Sequence, residues 1–319
     1  MEHLFGISAY KFDLDEYGGS SEAIRLITGA GADGTELLTG YFDPDPMFTG
    51  ISKGVHLPYA TDWYSVWCGD IPPATDDEKI KFRSYGRNRD EIIRNLTDAV
   101  IYASSLSPEY GVIHASSIRT DEIMNFTYKD KDEDVVRAII EILNGVASSF
   151  PGNEMPFRIV LENLWWPGLS MIDDSGFKII AEESNFDNWG LCLDVGHLMC
   201  RLGNCRDEKD SINDILKIVR SYPKKMRDRI DVMHMHMSLS ADYIRECIER
   251  PIVNEILSYD EMMKRAYEHV CKVDEHRPFT QPICTDIVRS VSPKYVTHEI
   301  SAPTPSERIS GFVSQRSLF

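Results

Sequence analysis

The stretch Gly190-Leu191-Cys192-Leu193-Asp194-Val195-Gly196-His197 is a short apolar run that stops on a carboxylate and sets an imidazole three residues beyond it. A brief apolar run of this kind suits a strand buried on both faces. The same grammar recurs along the chain. Val55-His56-Leu57-Pro58-Tyr59, Val112-Ile113-His114-Ala115, Val160-Leu161-Glu162-Asn163, Met233-His234-Met235-His236-Met237 and Val296-Thr297-His298-Glu299-Ile300 each close a β-rich segment on His or Glu. The full set of strand candidates is Phe5–Tyr10, Glu36–Tyr41, Lys53–Leu57, Tyr110–His114, Arg158–Leu161, Gly190–Leu193, Asp231–His236 and Tyr295–Glu299.

Between them lie stretches with apolar residues at helical spacing, among them Arg89–Ser105, Glu133–Ala147, Asp207–Tyr222 and Tyr259–Asp274. Strands alternating with helices imply parallel strands joined by crossovers. Eight such units predict the α/β class and a (β/α)8 TIM barrel, read as a single domain over residues 1–319. That fold takes about 250 residues, so the surplus goes into long β-α loops at the C-terminal face, notably Thr61–Arg87 and Ser238–Tyr259. An open doubly wound sheet would want a glycine-rich phosphate loop after its first strand. Gly29-Ala30-Gly31-Ala32-Asp33-Gly34 instead follows the helix Ser21–Thr28, as a helix stop and turn.

Composition excludes other classes. The chain has 319 residues, 42% of them hydrophobic, with 34 Lys+Arg against 51 Asp+Glu and a net charge of −17. It is too apolar to be disordered. Its acidity argues against broad nucleic-acid binding, which needs cations to displace phosphate counterions. No run reaches the roughly 18 apolar residues of a membrane helix, and the N-terminus lacks the pattern of a signal peptide. The 7 cysteines form no CxxC pair. Cys200 and Cys205 could pair or bind metal, but free thiols in a reducing, cytoplasmic compartment are the expectation. The expected partner is a small-molecule substrate, not nucleic acid or membrane; self-association is left open.

The chemistry collects at the strand ends, where TIM barrels carry their active sites. Of 9 histidines, His56, His114, His197, His234, His236 and His276 fall at strand ends or in Asp274-Glu275-His276-Arg277-Pro278. Carboxylates and imidazoles converging on one mouth are costly without a cation, and the donor set suits zinc, manganese or iron(II). One to three divalent ions per chain are expected. His234 and His236 share a strand face. His236 lies nearer the mouth and is chosen as the ligand, with His234 a supporting or barrel-layer residue. His298 points away from Glu299 by the same alternation. Trp63 and Trp67 after the third strand, and Trp165 and Trp166 after the fifth, are read as pocket walls. Arg201, like Arg119, is a candidate for a substrate phosphate or carboxylate.

These pieces resemble the xylose isomerase-like TIM-barrel superfamily, which includes sugar isomerases and epimerases and the endonuclease IV-like (AP endonuclease family 2) enzymes. The resemblance spans roughly residues 3–302. It is carried by His56-Leu57-Pro58-Tyr59, Glu162-Asn163 with Gly168, Cys192-Leu193-Asp194-Val195-Gly196-His197, Met235-His236-Met237-Ser238, Asp274-Glu275-His276-Arg277-Pro278 and His298-Glu299. In the epimerase branch it implies one divalent metal on Glu162, Asp194, His236 and Glu299. The two glutamates would move the substrate proton and His197 would contact the substrate. In the endonuclease branch it implies three zinc ions, adding His56, His114, His197, Asp274 and His276.

Two departures weigh against DNA repair. The endonuclease branch continues its strand-seven histidine as His-x-Asn-Asp-Ser-Lys, whereas here the run is His236-Met237-Ser238-Leu239-Ser240. Its Asp-Arg-His motif is Asp274-Glu275-His276. The expectation is a metal-dependent sugar or sugar-phosphate isomerase or epimerase. The alternative is a multinuclear phosphoester hydrolase of the endonuclease IV type.

Overall fold

In the computed structural model, which describes residues 1–71, 76–250 and 259–319, eight parallel strands close into one barrel in chain order. They are β1 (Glu2–Ser8), β2 (Gly34–Leu38), β3 (Ser52–His56), β4 (Tyr110–His114), β5 (Arg158–Glu162), β6 (Trp189–Asp194), β7 (Ile230–His234) and β8 (Tyr295–His298). β8 pairs with β1 through Glu2↔Tyr295 to Phe5↔His298, which closes the ring.

The first two strands begin two or three residues before the sequence predicts and stop short of Tyr10 and Tyr41. The apolar run outlasts the ladder: Ala9 N–H still donates to Leu38 O at 2.8 Å and Thr39 N–H to His56 O at 2.9 Å. β7 ends at His234, because beyond it Met237 pairs with Arg277 in an antiparallel bridge. That bridge folds the Asp274–Arg277 segment back over the barrel mouth.

Helices cover the barrel where their sequence starts them. Asn88 Oδ1 accepts from Glu91 N–H and caps Arg89–Ser104. Asp132, Glu133 and Asp134 fill the first turn of Asp132–Ala147, whose inner face is Val, Ile, Leu and Ala. Thr304 and Glu307 form a capping box on Pro305–Arg316. The two long loops carry helices of their own: Trp63–Trp67 and Asp77–Ser84 in the first, Ala241–Glu249 in the second. Residues 72–75 and 251–258, in these same loops, lie outside the described residues.

Inside the barrel, Leu4, Tyr110, Val112, Val160, Cys192, Val232 and Tyr295 make an apolar floor. A Cβ on Gly54 would lie 2.1 Å from the Tyr110 ring, so glycine there gives that ring its place. At the barrel's outer wall, Gln315 ties the last helix to the strands. Its Oε1 accepts from Phe279 N–H at 2.6 Å, and its Nε2 donates to Met235 O at 2.8 Å and His298 Nδ1 at 2.7 Å. His298 thus lies against the last helix and His3, away from the mouth. All seven cysteines, Cys200 and Cys205 included, are free. Among the described residues, no helix is long and apolar enough to cross a membrane.

Candidate metal centre

Glu162, at the end of β5, is the hub. Its Oε2 lies 3.2 Å from His56 Nε2 and 3.3 Å from His114 Nε2, and its Oε1 lies 3.2 Å from both His197 Nδ1 and His234 Nδ1. Asp194, at the end of β6, places Oδ2 2.8 Å from His236 Nε2. Its Oδ1 accepts from His197 N–H at 2.5 Å and so caps the helix Val195–Leu202. The spacing Asp-x-x-His is that of a helix cap and its third residue, so one local motif sets both side chains. Asp274 Oδ2 lies 2.7 Å from His276 Nε2 and 3.2 Å from His197 Nε2, while Oδ1 accepts from Ser238 Oγ at 2.9 Å. Glu299 Oε1 lies 3.3 Å from His234 Nδ1.

The nine residues assigned as ligands by resemblance therefore meet at one mouth. Donor atoms fall within 4.8 Å of one another in the sets His56/His114/Glu162, Asp194/His236/Glu299 and His197/His236/Asp274/His276.

The imidazoles are oriented by backbone. Nδ1 of His56 contacts Leu57 O at 2.8 Å, Nδ1 of His197 contacts Asn163 O at 2.9 Å, and Nδ1 of His276 contacts Glu299 O at 3.1 Å. Each carbonyl can only accept, so each Nδ1 carries a proton and each Nε2 is the nitrogen turned to the carboxylates, where a cation would meet it. Metal-binding histidines are held in this way. His236 Nδ1 is buried with no hydrogen-bond partner. A Cβ on Gly196 would lie 2.0 Å from the His236 ring, so only glycine leaves that imidazole its place. His276 takes a positive φ of 48°, uncommon for a residue with a Cβ.

Charge follows the same pattern. Burial works to raise the Glu162 and Asp274 carboxyls, yet the imidazoles around them hold both well below the usual range. Burial pushes His114 down to about 3. It works against His276 too, but the Asp274 carboxylate beside it carries that group up to about 9. Four buried or half-buried carboxylates crowded among imidazoles fit a divalent cation set, whose binding would displace the protons those imidazoles hold toward the carboxylates.

Not every expected site residue reaches this ring. Trp63 is fully buried and its indole N–H donates to Ser116 O at 2.9 Å; Trp67 donates to Glu141 Oε2 at 3.1 Å. Both pack loops and do not wall the mouth. Trp165 packs on His197, ring centroids 5.1 Å apart, and Trp166 packs on Trp165. Arg201 is pinned by Asp132 at 2.6 Å and Trp165 O at 3.1 Å. Arg119 is paired with Asp130 and Asp70. Tyr59 is an exposed aromatic at the mouth, 46% exposed and stacked on His114 at 5.1 Å and 18°. Glu36 on β2 is a second residue that the strand-end rule passes over, because it lies mid-strand. It is buried, accepts from Tyr110 Oη at 2.6 Å and Thr297 Oγ1 at 3.0 Å, and faces His234.

No family model matches the chain, and no curated protein matches it. Solved structures do match. A D-tagatose 3-epimerase-like protein aligns with 14% identity over 100% of this chain and 97% of that one, at a TM-score of 0.56. The IOLI protein with a binding zinc atom aligns with 14% identity over 100% and 96%, also at 0.56. Endonuclease IV from Thermus thermophilus aligns with 13% identity over 100% and 98%, at 0.50. The fold is therefore the closed (β/α)8 barrel of these epimerase-like, zinc-binding and endonuclease IV structures.

Proposed function

We propose that the chain is a metal-dependent enzyme acting on a small carbohydrate-like substrate, as a sugar or sugar-phosphate isomerase or epimerase. The observation that carries this reading is the Glu162/Glu299 pair. Both carboxylates place an oxygen against the same nitrogen, His234 Nδ1, at 3.2 and 3.3 Å, and so bracket one small volume. A D-tagatose 3-epimerase-like protein shares the fold, which supports the class.

Glu162, Asp194, His236 and Glu299 would hold the cation, and a bound divalent ion supplies Lewis acidity toward a carbonyl/hydroxyl pair. Glu299, whose side chain is one-fifth exposed, is placed to take the substrate proton; Glu162, enclosed by imidazoles, is held ionised on the other side. His197 is fixed by Asn163 O with its Nε2 toward the mouth. Tyr59 offers a ring face for a sugar. Arg83, Arg119 and Arg201 are each paired with a carboxylate, so none of the three stands unpaired for a phosphate backbone. The free thiols support a reducing, cytoplasmic setting.

One observation favours a second reading, a multinuclear phosphoester hydrolase: the ring offers more donors than one cation needs. Metal content per chain, measured beside a His56→Ala/His114→Ala double variant, separates the two. Solvent deuterium incorporation at the carbon next to a sugar carbonyl, lost in Glu299→Gln, supports the isomerase. Two or three ions with turnover of a phosphoester and no deuterium exchange would replace it with the hydrolase.

A further inference from the structure

His234 lies inside the barrel, fully buried, one layer below His236. Three carboxylate oxygens from three strands converge on its Nδ1: Glu162 Oε1 at 3.2 Å, Glu299 Oε1 at 3.3 Å and Asp194 Oδ2 at 3.5 Å. Its other nitrogen, Nε2, faces Glu36 Oε1 at 2.9 Å, off the line of a formal hydrogen bond. Glu36 is itself fixed by Tyr110 and Thr297 on its second oxygen.

Nδ1 meets Glu162 Oε1 in hydrogen-bond geometry, so with no cation it holds a proton among three anionic oxygens. A cation of matching spacing would displace that proton, with Glu36 then facing the proton on Nε2, and Glu162, Asp194 and His234 offer donor atoms within 4.8 Å of one another. The spacing matches one answer. Donors about 2.0–2.1 Å from a tetrahedral cation stand about 3.3–3.4 Å apart along each edge, and the three measured edges run from 3.2 to 3.5 Å. A carboxylate behind the far nitrogen of an imidazole is also the usual support of a metal-bound histidine.

His236 completes the argument. Its Nε2 donates to Asp194 Oδ2 at 2.8 Å, which leaves Nδ1 as the lone pair, without a hydrogen-bond partner and 3.6 Å from Asp274 Oδ1. That nitrogen points to the outer set, where His197, Asp274 and His276 meet it.

We propose that His234, supported by Glu36, is a tenth metal ligand that closes a Glu162/Asp194/Glu299/His234 site from the barrel floor, and that His236 serves the outer His197/Asp274/His276 set. The site takes a divalent transition ion with one nitrogen and three oxygens. This rests on the metal-dependent reading above. It changes the division of labour between the two β7 histidines: each site acquires its own imidazole, and Asp194 links the two.

The test uses ¹¹³Cd as the probe on ¹⁵N-histidine-labelled protein, with cation stoichiometry and chelator-competition affinity on wild type, His234→Gln and Glu36→Gln. The expected result is ¹¹³Cd–¹⁵N coupling to Nδ1 of His234, loss of one cation per chain or at least 100-fold weaker binding in His234→Gln, and 10- to 100-fold weaker binding in Glu36→Gln. Cadmium bound by wild type without coupling at His234, or unchanged stoichiometry and affinity in a folded His234→Gln, overturns the inference and leaves the metal-dependent reading standing. Such a result would mean that a second proton on His234, not a cation, offsets the three carboxylates. A wild type that binds no cation overturns both. If His234→Gln does not fold, the coupling in wild type decides.

Discussion

The imidazoles of His236 and His276 lie face to face, ring centroids 3.8 Å apart and planes 5° from parallel. One ring follows β7 and the other comes from the segment that returns over it, and Asp274 stands beside both. Two imidazolium rings would repel in this stack, so a carboxylate or cation must share their charge. Asp274→Asn is expected to remove the outer cation, lowering metal content by about one ion per chain. Mass-spectrometric metal analysis checks this, and full content in the variant would remove Asp274 from the ligand set.

Withdrawing the metal altogether should loosen the fold. Without cations the ring keeps Glu162, Asp194, Asp274 and Glu299 crowded in a buried space. A cation at 100 times its Kd adds about 2.7 kcal/mol, which in a chain of this size is a fall of about 5–10 °C on chelation. Differential scanning calorimetry with and without chelator, followed by zinc or manganese add-back, measures it. An unchanged Tm would mean that the ring is stable empty.

Much of this was legible in sequence, and the reason is geometric. A parallel barrel ends its strands at one face, so Glu162, Asp194 and Glu299 could be placed together by chain order alone. Asp194 and His197 were legible for a second reason, the helix cap that joins them. Glu36 was not legible, because a carboxylate in the middle of a strand reads like any strand residue until Tyr110 and His234 are seen across the barrel. Trp63 and Trp67 misled for a related reason: a large apolar ring after a strand serves a pocket or a loop equally well, and only their partners, Ser116 O and Glu141, show which.

Gly196→Ala should act on the metal from outside the ligand set. Its Cβ would stand 2.0 Å from His236 Cε1 and 2.2 Å from Nδ1, and the imidazole cannot retreat through buried surroundings. A loss of about 1–3 kcal/mol is expected from overpacking, together with weaker metal binding. Gly29→Ala, where nothing lies within 4 Å, is the control and should be neutral or gain up to about 1 kcal/mol. Urea unfolding of both decides, and equal effects would discount the clash.

Acid should destabilise the protein through His3 and His298. Gln315 donates to His298 Nδ1, so His298 uses Nε2–H toward His3 Nδ1 at 3.0 Å, and neither ring has room for another proton on that path. Burial, with Arg316 nearby, lowers His3 to about 4, and burial holds His298 well below its ordinary value. The unfolded chain then binds the proton more readily. The contribution is complete above about pH 6.5 and is lost as pH falls from there through about 4. Urea midpoints between pH 7.5 and 4.5, taken in chelator, should fall more steeply for wild type than for His3→Phe. Parallel curves would assign the acid loss to other groups.

The bridge between Met237 and Arg277 is made of backbone alone, at 2.7 and 3.0 Å. Asp274 and His276 are therefore delivered to the mouth by a frame that no side chain between them has to maintain. The residue they enclose, Glu275, answers to a different neighbour, the Leu239 amide. A lineage can rewrite that intervening position, exchanging one charge for another, while the ligands stay where they are. Ligand placement and the character of the residue between the ligands become separately inheritable.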